Sequence, residues 1–291
     1  MIIPYTILGT GSYLPDLVVD NRKFAEIMDT SDEWITSRTG ISQRHLSAGE
    51  PTWSLAVKAG RKAIEMAQID PDQIDGIIVT TLTPDYTTPN MASIVQDDLH
   101  AKNAFCFDLN AACTGFIHAF DIAMRYLVGN QKMTFLIVSA ESLSKLGDFE
   151  DRRTAVLFGD GAGAVVLSNR EADGSRVEAP SVYEAFLAAD GTGGEFMTGK
   201  AFEAVRHPFI DDDIVFPEDR FNHETGIYLS MKGQDVYRFA TKAMPFAIEK
   251  VAEQAEIPLN EIVFVVSHQA NDRILQAAAT RIGLPTENRI S

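Results

Sequence analysis

The sequence predicts a mixed α/β fold in which helices cover both faces of a mostly parallel sheet, and three observations support this prediction. Apolar runs at Ile74–Thr81, Ala104–Leu109 and Phe135–Glu141 are nearly continuous, as in strands buried on both faces. A helical pattern over residues 53–68 precedes the first of these strands, and patterns over 90–99 and from about 114 to about 128 separate the three; such alternation is typical of parallel sheets. A helix-and-strand pattern also recurs later in the chain, which indicates a duplicated unit.

Short elements precede the first of these helices. Residues 2–8 predict a strand that the glycine-containing segment 9–11 closes, and Asn21 is expected to cap a short helix ending near Met28. Ser31 is followed by two acidic residues, the pattern of a second helix start. The aromatic and basic residues of that second helix suit ordinary packing and solvation as well as a binding site.

Cys113 lies where a predicted strand turns into a helix that begins near residue 114. A thiol at this position faces unpaired backbone N–H groups and the positive end of the helix dipole. Both favour the thiolate, so we expect a lowered pKa and a nucleophilic Cys113. The alternative is a small buried cysteine with no chemical role, which is common for free cysteines.

The glycine-rich segment 157–163 resembles a nucleotide-binding loop at first sight. The dinucleotide-binding pattern requires a helix after its glycines, whereas the apolar run Ala164–Leu167 predicts a strand. We therefore interpret these glycines as positions where two backbones approach closely inside the core.

A shift of 188 positions aligns two stretches of the chain, for example Ala59 with Ala247 and Ile74 with Ile262. Each stretch contains an apolar helix, a polar loop and a buried strand. The alignment places His268 opposite Thr80, at the carboxyl end of its strand, where open α/β sheets carry their active sites. An imidazole and the Cys113 thiol could thus meet between two halves, although a structural histidine at a strand end is the more common case.

A polar segment over residues 169–176 marks the seam between these halves. We therefore expect an N-terminal half over 1–170, which carries the cysteine, and a C-terminal half over 171–291, which carries the histidine.

Composition excludes several classes of protein. A formal net charge of −16 argues against a general nucleic-acid or anionic-membrane surface. The two cysteines do not indicate a disulfide scaffold, and the six scattered histidines show no metal-ligand spacing. No run approaches the length of a membrane span, and the first residues lack the pattern of a signal peptide. We expect a cytoplasmic protein without a metal.

Several separate motifs, in order along the chain, resemble the β-ketoacyl-acyl-carrier-protein synthase III enzymes of the thiolase superfamily. Together they extend over nearly the whole sequence, which makes the resemblance specific. The matching segments are Ser31–Ile35 with Arg38–Ile41, Asp108–Phe116, Asp151–Arg152 with Leu157–Ala164, Met231–Val236, and His268–Asn271 with Arg273–Ile274.

The resemblance implies a thiolase-like duplicated αβ fold with αβαβα layering, and it gives Cys113 the role of acyl-accepting nucleophile. The implied reaction is decarboxylative condensation of an acyl-CoA primer with malonyl-acyl-carrier protein, which starts fatty acid synthesis. It implies that His268 stabilises the negative charge that forms on decarboxylation. Family members are dimers, need no cofactor beyond their coenzyme A substrate, and would place residues 83–89 near the partner.

The resemblance also assigns binding residues. Arg273 corresponds to a cation that docks the acidic carrier protein, and Thr88 falls where many relatives have a bulky aromatic residue at the floor of the primer pocket. A small Thr88 would admit longer or branched primers. The residues that resemble the family's coenzyme A site are Trp34, Arg38, Arg152, Met231, Gly233 and Asn271.

The sequence departs from the family pattern in one respect. The family's third catalytic residue is an asparagine beyond the histidine, in a segment that would follow Ser291. We therefore expect an incomplete C-terminal half, in which acylation of Cys113 survives but full condensation fails. Two alternatives remain open at this point: a related thiolase-superfamily acyltransferase of another pathway, and a non-catalytic truncated form.

Overall fold

A computed structural model describes residues 2–128, 132–175, 177, 180–201, 221, 226–283 and 289–290. Its helices are α1 (Asn21–Ala25), α2 (Asp32–Thr39), α3 (Thr52–Ala67), α4 (Met91–Asp98), α5 (Gly115–Leu127), α6 (Gly233–Gln254) and α7 (Asp272–Ile282). Its strands are β1 (Ile2–Pro4), β2 (Thr6–Tyr13), β3 (Leu17–Asp20), β4 (Gln43–Leu46), β5 (Gly76–Thr80), β6 (Phe105–Leu109), β7 (Thr134–Ser142), β8 (Asp160–Ser168), β9 (Pro180–Val182), β10 (Met197–Thr198), β11 (Ser230–Met231), β12 (Val265–Val266) and β13 (Arg289–Ile290).

Five strands form the main sheet in the order β2-β8-β7-β5-β6. Strand β5 pairs in parallel with both β6 and β7, whereas β8 runs antiparallel to β7 and to β2. Four of the five strands therefore point the same way, as the sequence predicts. Helices α3 and α4 pack on one face and α5 packs on the other, so that β5 is buried on both faces.

Two predictions near the N-terminus are wrong. The glycines at 9 and 11 do not end the first strand, because β2 continues through them to Tyr13. A Cβ atom at Gly9 would lie 2.3 Å from the carbonyl oxygen of Ala63, and one at Gly11 would lie 2.1 Å from that of Ala59. The glycines thus allow α3 to lie directly against β2.

Asn21 does not cap α1, because Asp20 accepts the hydrogen bond from the Lys23 backbone N–H at 3.1 Å. Asn21 is buried instead, and its side chain donates to Asp32 and accepts from Arg44, both at 2.8 Å. The Ser31 prediction is confirmed, since its hydroxyl accepts from the Trp34 N–H at 3.0 Å and caps α2.

The strand prediction after the glycine-rich segment is also confirmed. Strand β8 begins at Asp160 within the glycines, and no helix follows them. Close approach explains only some of these glycines: a Cβ atom at Gly161 would lie 2.8 Å from Leu14, whereas one at Gly163 would meet nothing within 4 Å.

The repeated unit is visible in the backbone. Gln68 ends α3 with φ 54°, and Glu256, 188 positions later, follows α6 with φ 56°. A 3₁₀ turn at Pro71–Gln73 recurs at Leu259–Glu261 with the same shift, and each turn precedes a strand. These matches support a duplicated αβ unit, while the boundary near residue 170 stays a prediction. No helix in the described part of the chain has both the length and the apolar character to cross a membrane.

Candidate active site

The carboxyl ends of β5, β6 and β7 lie side by side and bring polar groups together. The Thr80 hydroxyl donates to Ser139 at 2.8 Å, and the N–H of Thr81 donates to the carbonyl of Leu109 at 3.2 Å. A Cβ atom on Gly115 would lie 3.0 Å from the Cβ of Thr80, so glycine lets α5 begin against the end of β5. This edge of the sheet is where parallel strands usually carry active sites.

Cys113 lies in a tight turn between β6 and α5, within the 3₁₀ segment Ala112–Thr114. Ala112 has φ 44°, a left-handed conformation that costs a non-glycine residue on the order of 1 kcal/mol. Asn110 accepts from the Ala112 N–H at 3.3 Å, and the Thr114 hydroxyl donates to the Ala111 carbonyl at 2.8 Å. The predicted strand-to-helix turn is therefore present, and α5 starts within one residue of the predicted position.

The Cys113 thiol differs from our expectation in its ionisation. Its side chain reaches solvent, yet the protein packed around the turn removes enough water to raise the pKa of the Cys113 thiol. The Cys113 backbone N–H acts in the opposite direction, and the charge of Glu141 raises the pKa further. The prediction of a lowered thiol pKa is therefore wrong, because desolvation outweighs the hydrogen bonding at the turn.

Glu141, at the carboxyl end of β7, is a site residue that sequence reasoning missed. It accepts from the Thr83 hydroxyl at 2.6 Å, from the Leu82 N–H at 2.9 Å and from the Thr81 hydroxyl at 3.4 Å. Burial raises the pKa of the Glu141 carboxyl, although these hydrogen bonds partly oppose that effect. The signal was available in the sequence as a carboxylate at the end of an otherwise apolar strand.

His268 follows β12, in the loop that leads to α7. Its side chain reaches solvent, yet the protein packed around it removes enough water to lower the pKa of His268, which favours the neutral imidazole. Within the described ranges, no hydrogen bond joins His268 to Cys113. Each group thus follows a strand, Cys113 after β6 and His268 after β12, but in the described residues the two side chains are not hydrogen-bonded to each other.

A second cluster lies on α2. The guanidinium of Arg38 lies 4.5 Å from the ring centroid of Trp34, and that of Arg152 lies 5.0 Å from it. Arg152 also donates to the carbonyl of Asp29 at 2.5 Å. Two cations beside one partly buried aromatic ring form a surface that suits a stacked planar group and nearby phosphates.

The start of α7 contacts the end of α2. Arg273 donates twice to the carbonyl of Ser37, at 2.7 and 3.1 Å, and Asn271 caps α7 by accepting from the Arg273 N–H at 2.9 Å. A Cβ atom on Gly40, whose φ is 79°, would lie 3.0 Å from the Cβ of Asp272. The contact therefore places Asn271 and Arg273 at the end of α2, the helix that carries Trp34 and Arg38.

The remaining predicted residues lie further along the chain. Met231 is the last residue of β11, and Gly233 is the first residue of α6. A Cβ atom on Gly233 would lie 3.8 Å from the terminal methyl group of Met231. Thr88 is exposed in the segment that precedes α4. In the described residues, no group of three or more histidine, cysteine or acidic side chains is placed to hold a metal ion.

Comparison with known proteins gives consistent results. A family model described as 3-oxoacyl-[acyl-carrier-protein (ACP)] synthase III matches residues 107–191, which include Cys113 and Glu141. The chain is 44% identical over 278 residues to β-ketoacyl-[acyl-carrier-protein] synthase III of Clostridium acetobutylicum, covering 96% of this chain and 80% of the relative.

Two solved structures are also similar. The 3-oxoacyl-[acyl-carrier-protein] synthase III of Aquifex aeolicus VF5 has a TM-score of 0.84 and 37% identity, covering 98% of this chain and 83% of that one. The priming β-ketosynthase of the R1128 polyketide pathway has a TM-score of 0.84 and 32% identity, covering 100% of this chain and 81% of that one. These matches confirm the predicted thiolase-like α/β fold, and this chain belongs to the β-ketoacyl-[acyl-carrier-protein] synthase III family.

Proposed function

We propose that this protein condenses an acyl-CoA primer with malonyl-acyl-carrier protein, with loss of CO₂, through a thioester on Cys113, and so starts fatty acid synthesis. The observation that carries the proposal is a cysteine in a strained strand-to-helix turn at the carboxyl ends of three parallel strands, in a chain that belongs to this family. Cys113 is the nucleophile in this proposal.

In the first step, the Cys113 thiol loses its proton and its sulfur attacks the thioester carbonyl of acyl-CoA. A new carbon–sulfur bond forms on Cys113, the bond to coenzyme A breaks, and the departing thiolate takes up a proton. The raised thiol pKa means that the enzyme rests largely as the thiol at neutral pH.

In the second step, the malonyl group loses CO₂ and its electron pair remains as an enolate. The enolate carbon attacks the acyl-Cys113 carbonyl, a carbon–carbon bond forms, and the Cys113 sulfur leaves. A neutral His268, which its lowered pKa favours, can donate an N–H to the developing oxyanion without needing to be charged. A donor of this kind typically contributes about 2.7–4 kcal/mol.

We assign the coenzyme A site to the surface that α2 shares with α7. The stacked cations at Trp34 suit an adenine ring and its phosphates, and the α2–α7 contact brings the second half to the same place. Arg273 serves there as the docking cation for an acidic carrier protein. Coenzyme A acts only as part of the substrate, and no resident cofactor is proposed. Trp34, Arg38, Arg152 and Asn271 are the binding residues at this surface, and we propose that Met231 and Gly233, at β11 and the start of α6, contribute to the same site.

We also infer a homodimer that forms along β6. This strand is one of the two edges of the main sheet as described, and Phe105 on it is 40% exposed. Ile117 and Tyr126 on α5 and Tyr86 before α4 are further exposed apolar residues. An open strand edge with nearby apolar side chains is suited to pairing with a second copy. Sedimentation equilibrium would detect the dimer, and a monomer at micromolar concentration would contradict it.

Two finer features follow from the same proposal. The small side chain of Thr88 favours longer or branched primers, and competition between C2 and C8 acyl-CoA would refute this by showing an acetyl preference.

The cytoplasmic location is supported by the two cysteines, both of which are unpaired in the structure, since reducing compartments keep thiols free.

A related acyltransferase of another pathway is the second candidate. The similarity to a priming ketosynthase of a polyketide pathway favours it, because the same fold and family serve that pathway. The two candidates differ in whether malonyl-acyl-carrier protein is consumed with release of CO₂.

The first prediction tests the acyl-enzyme. After incubation with acyl-CoA, intact-mass spectrometry should show one acyl group on the parent chain and none on C113A. The matched control C106A should still be acylated, because Cys106 contacts Ser93 on α4 at 3.3 Å rather than lying at the strand-to-helix turn. Release of CO₂ from malonyl-acyl-carrier protein is measured separately, so that acylation and condensation are distinguished. Acylation of C113A would refute the proposal, and an unreactive Cys113 would favour a non-catalytic protein.

A further inference from the structure

The charge of Glu141 acts on the thiol of the proposed nucleophile, but this carboxylate has no part in the mechanism above. It is partly buried at the end of β7, where it accepts three hydrogen bonds from the consecutive residues Thr81, Leu82 and Thr83. A carboxylate held by three donors is fixed in position, and it fixes its donors in turn. Glu141 therefore joins the end of β7 to the segment that leaves β5.

The Thr83 end of this segment is fixed a second time. The Thr83 hydroxyl, which donates to Glu141, also accepts from the N–H of Ser142 at 2.9 Å. The Thr83 carbonyl accepts from the hydroxyl of Thr52 at 2.8 Å, at the start of α3. Asp85, two residues further on, accepts from the N–H of Trp53 at 2.9 Å and pairs with Lys145 at 2.6 Å. The segment thus has anchors on β7, on α3 and on the turn after β7.

The other end of the segment contacts the elements on either side of Cys113. The N–H of Thr81 donates to the carbonyl of Leu109, the last residue of β6. Thr80 packs against Gly115, the first residue of α5, as the 3.0 Å distance from a Cβ atom there to Thr80 indicates. Movement of residues 80–81 would therefore displace both ends of the turn. Among the described residues, Glu141 is also the charged side chain that acts on the Cys113 thiol.

We propose that Glu141 is a positioning residue for the acylation step: its carboxylate holds segment 81–83 against the Cys113 turn and places a fixed negative charge beside the thiol. This inference rests on the proposed acyl transfer to Cys113 and adds a residue to it. Glu141 acts through the segment and through its charge, and it does not touch the reacting atoms.

The two effects of Glu141 predict opposite changes when its charge is removed. In E141Q the neutral amide no longer opposes the thiolate, so alkylation of Cys113 by iodoacetamide should move to lower pH and accelerate about twofold at pH 7. The amide also brings two N–H donors to a place lined by donors, which loosens the segment. Acyl transfer from acyl-CoA should therefore slow, by up to about 100-fold in kcat with little change in KM.

The conservative variant T83V separates the two effects. It removes the 2.6 Å hydrogen bond to Glu141, and with it the acceptor of the Ser142 N–H, but keeps the charge of Glu141. We expect acyl transfer to slow in T83V while the pH dependence of alkylation stays close to that of the parent. The matched control is E65Q, on the exposed face of α3, which should leave both rates unchanged. Mass spectrometry of the Cys113 peptide separates its alkylation from that of Cys106.

Opposite changes in the two rates of E141Q support the proposal, because a general loss of structure would not accelerate alkylation while slowing acyl transfer. An unchanged alkylation profile together with unchanged acyl transfer in E141Q would overturn it. A thermal melt shows whether E141Q folds. If it does not fold, T83V decides the question, and an unchanged rate of acyl transfer in T83V is then sufficient to overturn the proposal. Because alkylation needs no acyl-CoA, a protein that alkylates as predicted but never accepts an acyl group refutes the proposed function rather than the placement of Glu141.

Discussion

The two copies of the repeated unit have similar patterns of apolar residues but very different burial. Ile78 in β5 is 0% exposed, whereas Val266, its equivalent in β12, is 77% exposed. Every residue of β5 is buried, while Val263 and Phe264 before β12 are exposed as well. The same kind of sequence therefore forms the same kind of element in two very different surroundings.

Neighbouring elements explain the difference. Strand β5 lies between β6 and β7, with α3 on one face and α5 on the other. Within the described residues, β12 pairs only with β13, over two residue pairs. Helix α3 buries nine of its residues, but α6 buries only Pro245 and Ala252 among those described. An apolar pattern thus determines which side of an element can be buried, and the neighbours determine whether it is.

The largest predicted effect tests this contrast directly. I78A should lower the free energy of unfolding by about 3 kcal/mol, because it leaves a cavity in a fully packed layer. The matched change V266A should lower it by less than about 0.5 kcal/mol, because the removed methyl groups are mostly exposed. Urea titration followed by circular dichroism measures both. Similar losses for the two variants would mean that β12 is covered in solution.

A smaller effect is expected where α3 meets β2. The Cβ atom in G9A would lie 2.3 Å from the carbonyl oxygen of Ala63, a backbone atom, so the helix must move. We expect a loss of about 2 kcal/mol from this overpacking. G163A is the control, since a Cβ atom there meets nothing within 4 Å. Its stability should stay within about 0.5 kcal/mol of the parent. Equal urea midpoints for the two variants would contradict direct packing of α3 on β2.

The smallest predicted effect concerns His268, whose side chain reaches solvent but is partly desolvated by the protein around it. Its pKa is lowered in the folded chain, so the unfolded chain binds its proton more readily as the pH falls through about 6.5. Folding stability that is present above this pH is therefore lost below it. H268Q lacks this group, so its melting temperature should fall less between about pH 7 and pH 5.5. If the melting temperatures of the parent and H268Q fall equally with pH, His268 is as solvated in the folded chain as in the unfolded chain.

The sequence alone determined the features that depend on neighbours along the chain. Helix α3 spans 52–67 against the predicted 53–68, and Ser31 caps α2 as expected, because propensity and capping involve residues a few positions apart. The turn at Cys113 was also predicted from a local pattern, and the repeated unit from a comparison of segments 188 positions apart. The resemblance added the family, which the comparisons confirm. The roles of individual site residues remain predictions.

Tertiary structure decided the features that depend on residues far apart in the sequence. The glycines at 9 and 11 signalled the end of a strand, but α3 packs on them, so they are close-contact positions inside it. Cys113 has a raised thiol pKa because packing removes water and places Glu141 nearby, which no local pattern shows. The bond from Thr83 to Glu141 joins residues 58 positions apart. Such contacts arise only when the strands assemble, because the sheet, and not the chain order, sets which carboxyl ends meet.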